Sequence, residues 1–362
     1  MKNKRYLSII KPFEKMATQK VLQVNPTIAA SRKEPEKTII SIYEYTTQNV
    51  NIEEINKIEN CFKHLLSPNI SWINLGGLKK ADVENICTHF GIHPLIQEDI
   101  LSSGQRPKMD DLNQLLFALL NMLYFNEETY SVESEQISIV LGPNFVISFQ
   151  EDASRDVFNP IREKIKVFGS KLRMSNSDYL FYSLIDILVD NYFLIMEKLG
   201  EKIEDLEEDI AQRPDTHTLA RINMLRKEMI VLKRNISPVR ELINGILRSE
   251  SALIENKTEK YFKDVYDHII QANELAENYR DMMINLQDLY LSNVNLKMNE
   301  VMKVMAVVTC LLAPATVIGG IFGMNFNRIP WLHNPYGFFI AVSLMLIIPF
   351  WMIWIFKKRG WF

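Results

Sequence analysis

Cysteine is nearly missing from this chain: Cys61, Cys87 and Cys310 are the only three in 362 residues. They are odd in number, far apart and without metal-ligand spacing. That excludes a disulfide-stapled scaffold or a zinc ribbon and fits free thiols in a reducing compartment. Glycine is also sparse, at 13 residues, which favours long unbroken helices. The chain contains no phosphate loop, HExxH, CxxC or GxSxG, so the common signatures of hydrolytic and redox enzymes are absent. A net charge of −3 argues against a broadly basic surface for nucleic acid. The opening MKNKRYLSIIKPFEKM is basic but lacks the apolar stretch of a signal peptide.

What is present is unevenly placed. Val304–Phe322 carries no charge, and neither does Gly337–Phe356. Each run is about 20 residues, enough at 1.5 Å per residue to cross roughly 30 Å of hydrocarbon. Two such runs joined by a short loop predict a membrane hairpin in contact with lipid. Trp351, Trp354 and Trp361 cluster near the end of the second run, as interfacial aromatics do. Lys297 and Lys303 precede the first run, Lys357, Lys358 and Arg359 follow the second, and the loop between holds only Arg328. The positive-inside rule then places the protein in the cytoplasmic membrane as a multi-pass chain with both termini in the cytoplasm. The first 300 residues become a large cytoplasmic body.

The expected organisation has seven parts. Residues 1–35 are a basic arm, and 36–155 an α/β domain with a mixed or antiparallel sheet. Residues 156–250 are helical, and 251–322 form a very long stalk helix that continues into the first span. Residues 323–336 are the outer loop, 337–356 the second span and 357–362 a basic tail. The fold class is thus α+β with a C-terminal two-helix transmembrane hairpin. TIISIYEY, SWINL, LLFALLNMLYF, SEQISIVL and NFVISFQ read as strands, with Gly142-Pro143-Asn144 as a hairpin turn. ADVENICTHFG and HPLIQEDIL read as helices, the first closed by Gly91. Residues 156–172, 177–212 and 215–247 have helical spacing, and Pro214 sits near the start of the last.

Along the long helix, Asp288, Asn295, Asn299, Met302, Thr309, Ala313, Thr316 and Gly320 recur at heptad-type steps. A plain coiled coil would place Leu, Ile or Val there. Here the seam runs from acid and amide through Met to hydroxyl and small residues, which reads as a pore lining, because polar groups at membrane depth face a cavity or a partner. Met302, with Met305 beside it, reads as an apolar constriction able to gate by dewetting. Two spans cannot enclose a water-filled path, so a channel of this kind must be an oligomer.

The first span ends in IFGMNF (321–326). That Gly-Met-Asn placement resembles the signature of the CorA family of magnesium and cobalt transporters. GIHPLIQEDIL, QRPK, YSLIDILVDNYF, DVYDH and NEVMKVM extend the likeness over nearly the whole chain. The resemblance implies a homopentameric funnel lined by the five long helices, with no other protein partner. It implies a selectivity filter at Gly323, Met324 and Asn325, whose carboxamides would hold Mg²⁺ through its waters. It also implies regulatory Mg²⁺ between subunits, with Asp99 of one copy facing Asp264 of the next, and Glu98, Asp186 and His268 near a second, weaker site. His93 and His268 would otherwise read as packed histidines. The outer loop NRIPWLHNPY departs from the family in having no acid, only Arg328 and His333, and Ala313 stands where some relatives place Met.

The function expected is Mg²⁺ influx, with Co²⁺ and Ni²⁺ accompanying, driven by membrane potential and gated by intracellular Mg²⁺. A dication gains roughly 4–5 kcal/mol per 100 mV. The alternative is a Zn²⁺ transporter of the same architecture, with proton coupling. A membrane-tethered enzyme centred on His93, Glu98 and Asp99 is the third reading.

Overall fold

The computed structural model describes residues 35, 37–55, 57–112, 114–152, 155–212, 215–324, 330 and 334–361. The arm at 1–34, Pro214, Asn325, Arg328 and His333 lie outside the described residues. The chain divides into two units, one of residues 1–207 and 220–285, the other of 208–219 and 286–362.

The first unit is built on one seven-stranded sheet. Its strands are β1 (Ile39–Tyr45), β2 (Val50–Ile55), β3 (Ile70–Gly76), β4 (Lys108–Asp111), β5 (Leu116–Asn126), β6 (Ser131–Leu141) and β7 (Phe145–Gln150), in the order β2-β1-β3-β7-β6-β5-β4. Every pairing is antiparallel except β3 with β7, so the sheet is mixed. β3, β5 and β7 are apolar and buried over most of their length, because both faces of the sheet are covered. On one face Ile42, Ile73, Phe117 and Ile147 pack with Val83 and Ile86 of α1 (Lys80–His89) and Ile96 and Ile100 of α2 (Pro94–Leu101). On the other, the Tyr192 hydroxyl donates to the Asn121 carbonyl at 2.8 Å and the Asn121 amide donates to Asn235 Oδ1 at 2.8 Å. Tyr192 lies in α4 (Ser177–Gln212) and Asn235 in α5 (Thr216–Arg248).

Local chemistry explains several boundaries. Gly91 has φ +70° and Ile92 N–H donates to the Cys87 carbonyl at 2.8 Å, which closes α1 with a left-handed glycine. Gly142 N–H donates to the Phe145 carbonyl at 2.8 Å, forming the tight turn between β6 and β7. His93 is exposed rather than packed; its Nδ1 accepts from Leu95 N–H at 3.2 Å and caps α2.

Three expectations need correction. The helical stretch at 156–172 shrinks to α3 (Asn159–Lys166), since the chain turns at Val167 and continues in turns to Ser175. β2 and β4 were not anticipated, being short, polar edge strands without a clear alternation. The stalk helix α6 begins at Asn256 and runs to Phe322, 67 residues or roughly 100 Å. α7 (Gly337–Lys358) follows.

By length and composition α4, α6 and α7 could each cross a bilayer. Burial separates them. The apolar window of α4 is 61% buried within the protein, whereas those of α6 and α7 are 6% buried. α4 is a core helix, and α6 and α7 present continuous bare apolar faces of the kind lipid covers. Pro314 in α6 and Pro349 in α7 are breaks of a sort membrane helices tolerate.

Trp72, next to Ile73 along β3, points to the opposite face of the sheet from α1 and α2. It stacks on Tyr43 at 5.0 Å, meets Phe158 edge-on at 5.9 Å and donates Nε1–H to Ser148 Oγ at 2.9 Å. The Arg162 guanidinium lies 5.6 Å from its ring and forks onto Asp156 at 2.6 and 2.5 Å. The Asp156 side chain is 1% exposed, so removing its partner strands a buried carboxylate. Arg162→Met is expected to destabilise the full-length protein in detergent by about 3 kcal/mol in chemical denaturation. An unchanged midpoint would show that the fork contributes nothing.

Candidate functional site

Three ionisable side chains converge beside the start of α6. α4 carries Asp186 and Asp190 one helical turn apart, and α6 carries Asp264 and His268 with the same spacing. One ligand atom from each of Asp186, Asp190 and His268 lies within 4.8 Å of the other two. His268 Nδ1 is 3.9 Å from Asp190 Oδ1. That nitrogen is buried and has no hydrogen-bond partner among the described residues. Asp186 accepts from the Tyr182 hydroxyl at 3.1 Å. Burial holds the Asp186 carboxyl above its ordinary range, and the Asp190 charge adds to the effect, while Tyr182 and His268 oppose it. The donor set fits a hard dication through its carboxylates, and the imidazole nitrogen extends it to Co²⁺ or Ni²⁺. Sequence reasoning placed Asp186 and His268 together but missed Asp190. The signal was the four-residue spacing of two acids on one face of α4.

The other regulatory candidates lie as follows. Asp99 sits in the last turn of α2, and its Oδ2 receives the Lys108 ammonium at 2.5 Å. Lys108 Nζ is also 3.6 Å from Asp110 Oδ2. Glu98 is exposed, one residue from Asp99, and is not in the three-residue group. Asp264 lines an open cleft of about 500 Å³ whose walls include Lys171, Lys257 and Lys260, and its charge also raises Asp186. Among the described residues, neither Asp99 nor Asp264 belongs to a group of three metal-ligating side chains within one chain.

The second unit holds the polar stripe of α6. Asp288, Asn295, Asn299, Met302, Met305, Thr309, Ala313, Thr316 and Gly320 are all exposed. Leu286, Tyr290 and Val307 are buried, Asn293 Nδ2 donates to the Ile210 carbonyl at 3.1 Å, and Gly319 faces Met345 of α7. At about 100° per residue, those five cluster on one side of α6. The stripe from Asp288 to Gly320 falls on the opposite side, turned away from the chain's own contacts. Thr309 and Thr316 donate their hydroxyl protons to the Met305 and Leu312 carbonyls at 2.9 and 3.1 Å. Their oxygens therefore present lone pairs outward, the right polarity for the water hydrogens of a hydrated cation. Gly323 N–H donates to the Gly319 carbonyl at 2.9 Å and Met324 N–H to the Ile321 carbonyl at 3.3 Å, which closes the last turn of α6.

A carboxyl whose folded pKa is raised weakens the fold when ionised. Its unfolded form loses its proton near pH 4, and stability falls as pH climbs from there to the raised folded value. Asp186→Asn removes the repulsion. With chelator present at pH 7 it is expected to melt roughly 2 °C above wild type, with a shallower loss of stability above pH 4. Melting at or below the wild-type temperature at pH 7 would contradict the assignment of Asp186 as a destabilising charge.

Comparison with known proteins places this geometry. The family described as "CorA-like Mg2+ transporter protein" matches residues 67–358. The cobalt/magnesium transport protein CorA of Thermotoga maritima is 39% identical over 325 residues, which cover 88% of this chain and 92% of that protein. Among solved structures, the CorA magnesium transporter of Methanocaldococcus jannaschii aligns with a TM-score of 0.72 at 21% identity, covering 91% of this chain and 99% of that one. The cytoplasmic domain of ZntB from Vibrio parahaemolyticus aligns at 0.59 and 19% identity, covering 72% and 99%. The two solved structures share the fold. Profile and sequence identity together go further, and this chain, a membrane protein, belongs to the CorA family of Mg²⁺ transporters.

Proposed function

We propose that this protein is a passive divalent-cation channel that admits Mg²⁺ to the cell, with Co²⁺ and Ni²⁺ as accompanying ions. The observation that carries the reading is the stripe of α6. A row of acid, amide and hydroxyl groups lies opposite the helix's own-chain contacts and leads to Gly323-Met324-Asn325 at its end. Five copies, the number implied by the family resemblance, would bring five such rows around one water-filled axis. α6 and α7 would both span the cytoplasmic membrane, with both termini in the cytoplasm, as the lysine and arginine placement requires.

The chemistry follows from hydration. Mg²⁺ gives up water reluctantly, so a neutral ring of Asn325 carboxamides at the mouth would grip its waters without trapping the ion, and conduction needs an ion that can leave. Thr316 and Thr309 would continue acceptor contact inward. Met302 and Met305 would form the dewetting gate, and Asp288 the first carboxylate ring inside. Membrane potential would supply the drive.

Regulation would come from Mg²⁺ at subunit boundaries. Asp99 of one copy would face Asp264 of the next, and Asp186, Asp190 and His268, near Glu98, would form a second site. Facing carboxylates repel when bare and are bridged by a hard cation, so bound Mg²⁺ would hold the closed arrangement and its loss would release it. Family membership sets the enzyme reading aside. The Zn²⁺ alternative draws on the shared fold of the ZntB cytoplasmic domain, and the intact Gly-Met-Asn followed by Phe326 favours Mg²⁺.

Asn325→Ala is expected to abolish Mg²⁺ uptake into proteoliposomes at negative-inside potential while the purified oligomer keeps its elution volume. Normal uptake would remove the filter assignment. In the same vesicles, Zn²⁺ flux that exceeds Mg²⁺ flux and depends on a pH gradient would favour the alternative.

A further inference from the structure

Asp99 is not a bare carboxylate. Lys108 Nζ stands 2.5 Å from its Oδ2, and the Asp99 side chain is only 15% exposed. Its place in the last turn of α2 explains why it holds a cation. The carbonyl end of a helix is the negative end of its dipole, and a carboxylate there is unfavourable unless a positive charge compensates. Lys108 is fixed for the task by β4, where it pairs with Leu119 of β5, and the Asp99 carbonyl is held by the Gln136 amide at 2.9 Å. A second acceptor is within reach. Asp110 lies two residues on, on the same face of the strand, with Oδ2 3.6 Å from the same ammonium and a side chain 45% exposed.

We propose that Lys108 is a built-in competitor for the metal at Asp99 and sets the Mg²⁺ concentration at which that site fills. This rests on the reading of Asp99 as a regulatory ligand. An arriving dication and the ammonium seek the same oxygen, so binding is an exchange of one cation for another. Asp110 makes the exchange feasible. When metal takes Asp99, the Lys108 ammonium swings to Asp110 and keeps a carboxylate partner. Lys108 is therefore an affinity-setting residue that acts through its contact with Asp99 and does not itself ligate the metal.

The test uses full-length protein in detergent and reads the Mg²⁺ concentration that gives half-maximal protection from chymotrypsin, a protease indifferent to lysine. Lys108→Met is expected to lower that midpoint roughly tenfold, the scale of a directly contacting charge pair. Lys108→Gln should shift it in the same direction, and Lys108→Arg should stay near wild type. Asp99→Asn should raise the midpoint, and Lys108→Met should have no further effect in that background. An unchanged or raised midpoint in both Lys108→Met and Lys108→Gln overturns the proposal, as does an equal fall with Asp99 already neutral. If Asp99→Asn itself leaves the midpoint where it was, the sensor reading fails and takes this one with it. If Asp99→Asn shifts the midpoint and the Lys108 variants do not, only the competitor role falls.

Discussion

A small dication holds its water too tightly to cross hydrocarbon bare, and two helices are too few to enclose water for it. Those two facts set the terms for everything else in this chain. For the channel proposed above they would call for several copies around an axis, each offering one polar face that its own fold does not consume. α6 meets that condition. Its inward contacts, Leu286, Tyr290, Asn293, Val307 and Gly319, gather on one side, leaving the row from Asp288 to Gly320 exposed on the other. The threonine protons are spent on the helix's own carbonyls, so what remains outward is acceptor capacity, matched to the hydrogens of a hydrated ion.

The same need for compensation governs the charges of the sheet and helical body. Four of its buried or half-buried carboxylates have different answers. Asp156 is forked by Arg162, and Glu228 is buried and accepts the Val132 N–H at 2.7 Å. Asp99 takes an ammonium. Asp186 faces Asp190 and an imidazole nitrogen without a hydrogen-bond partner. The first two are closed arrangements that stabilise a fold. The last is open, with repulsion left in it, and an open arrangement is what a reversible ligand needs.

Sequence reading reached the parts governed by one-dimensional pattern. The charge-free runs, the long helix, the hydrophobic strands β3, β5 and β7, and the Gly91 cap all carry their signal in consecutive residues. The heptad-type stripe was legible for the same reason, since 3.6-residue geometry projects spacing onto a face. β2 and β4 were missed because edge strands are kept polar and short, and the end of α3 because nothing in Val167-Phe168-Gly169 but one glycine marks it. Asp190 escaped because its acidity alone is ordinary, and only the approach of α6 turns it toward His268. Lys108 escaped for the stronger reason that its partner lies nine residues away across a helix-to-strand loop. No spacing rule says which of several acids and lysines in that stretch will meet. The resemblance to a family supplied Asn325 and the pairing of Asp99 with Asp264, which pattern alone would have left as surface residues.

Charge compensation also bears on how a magnesium sensor should be built. The ion is abundant, so a useful sensor must bind weakly enough to be half empty at its working concentration. Two clustered carboxylates with nothing between them gain relief of repulsion when a dication arrives, and that pushes affinity up. A carboxylate already holding an ammonium must first release it, and that pushes affinity down. In the proposed reading Asp186 and Asp190 would be of the first kind and Asp99 of the second, and all three lie in the first unit. On that reading the threshold would be a property of the nearby fixed cation as much as of the ligands. A lysine can be moved, shortened or re-paired by a single substitution without disturbing the oxygens that the metal touches, so the set point can change while the site's geometry stays as it is.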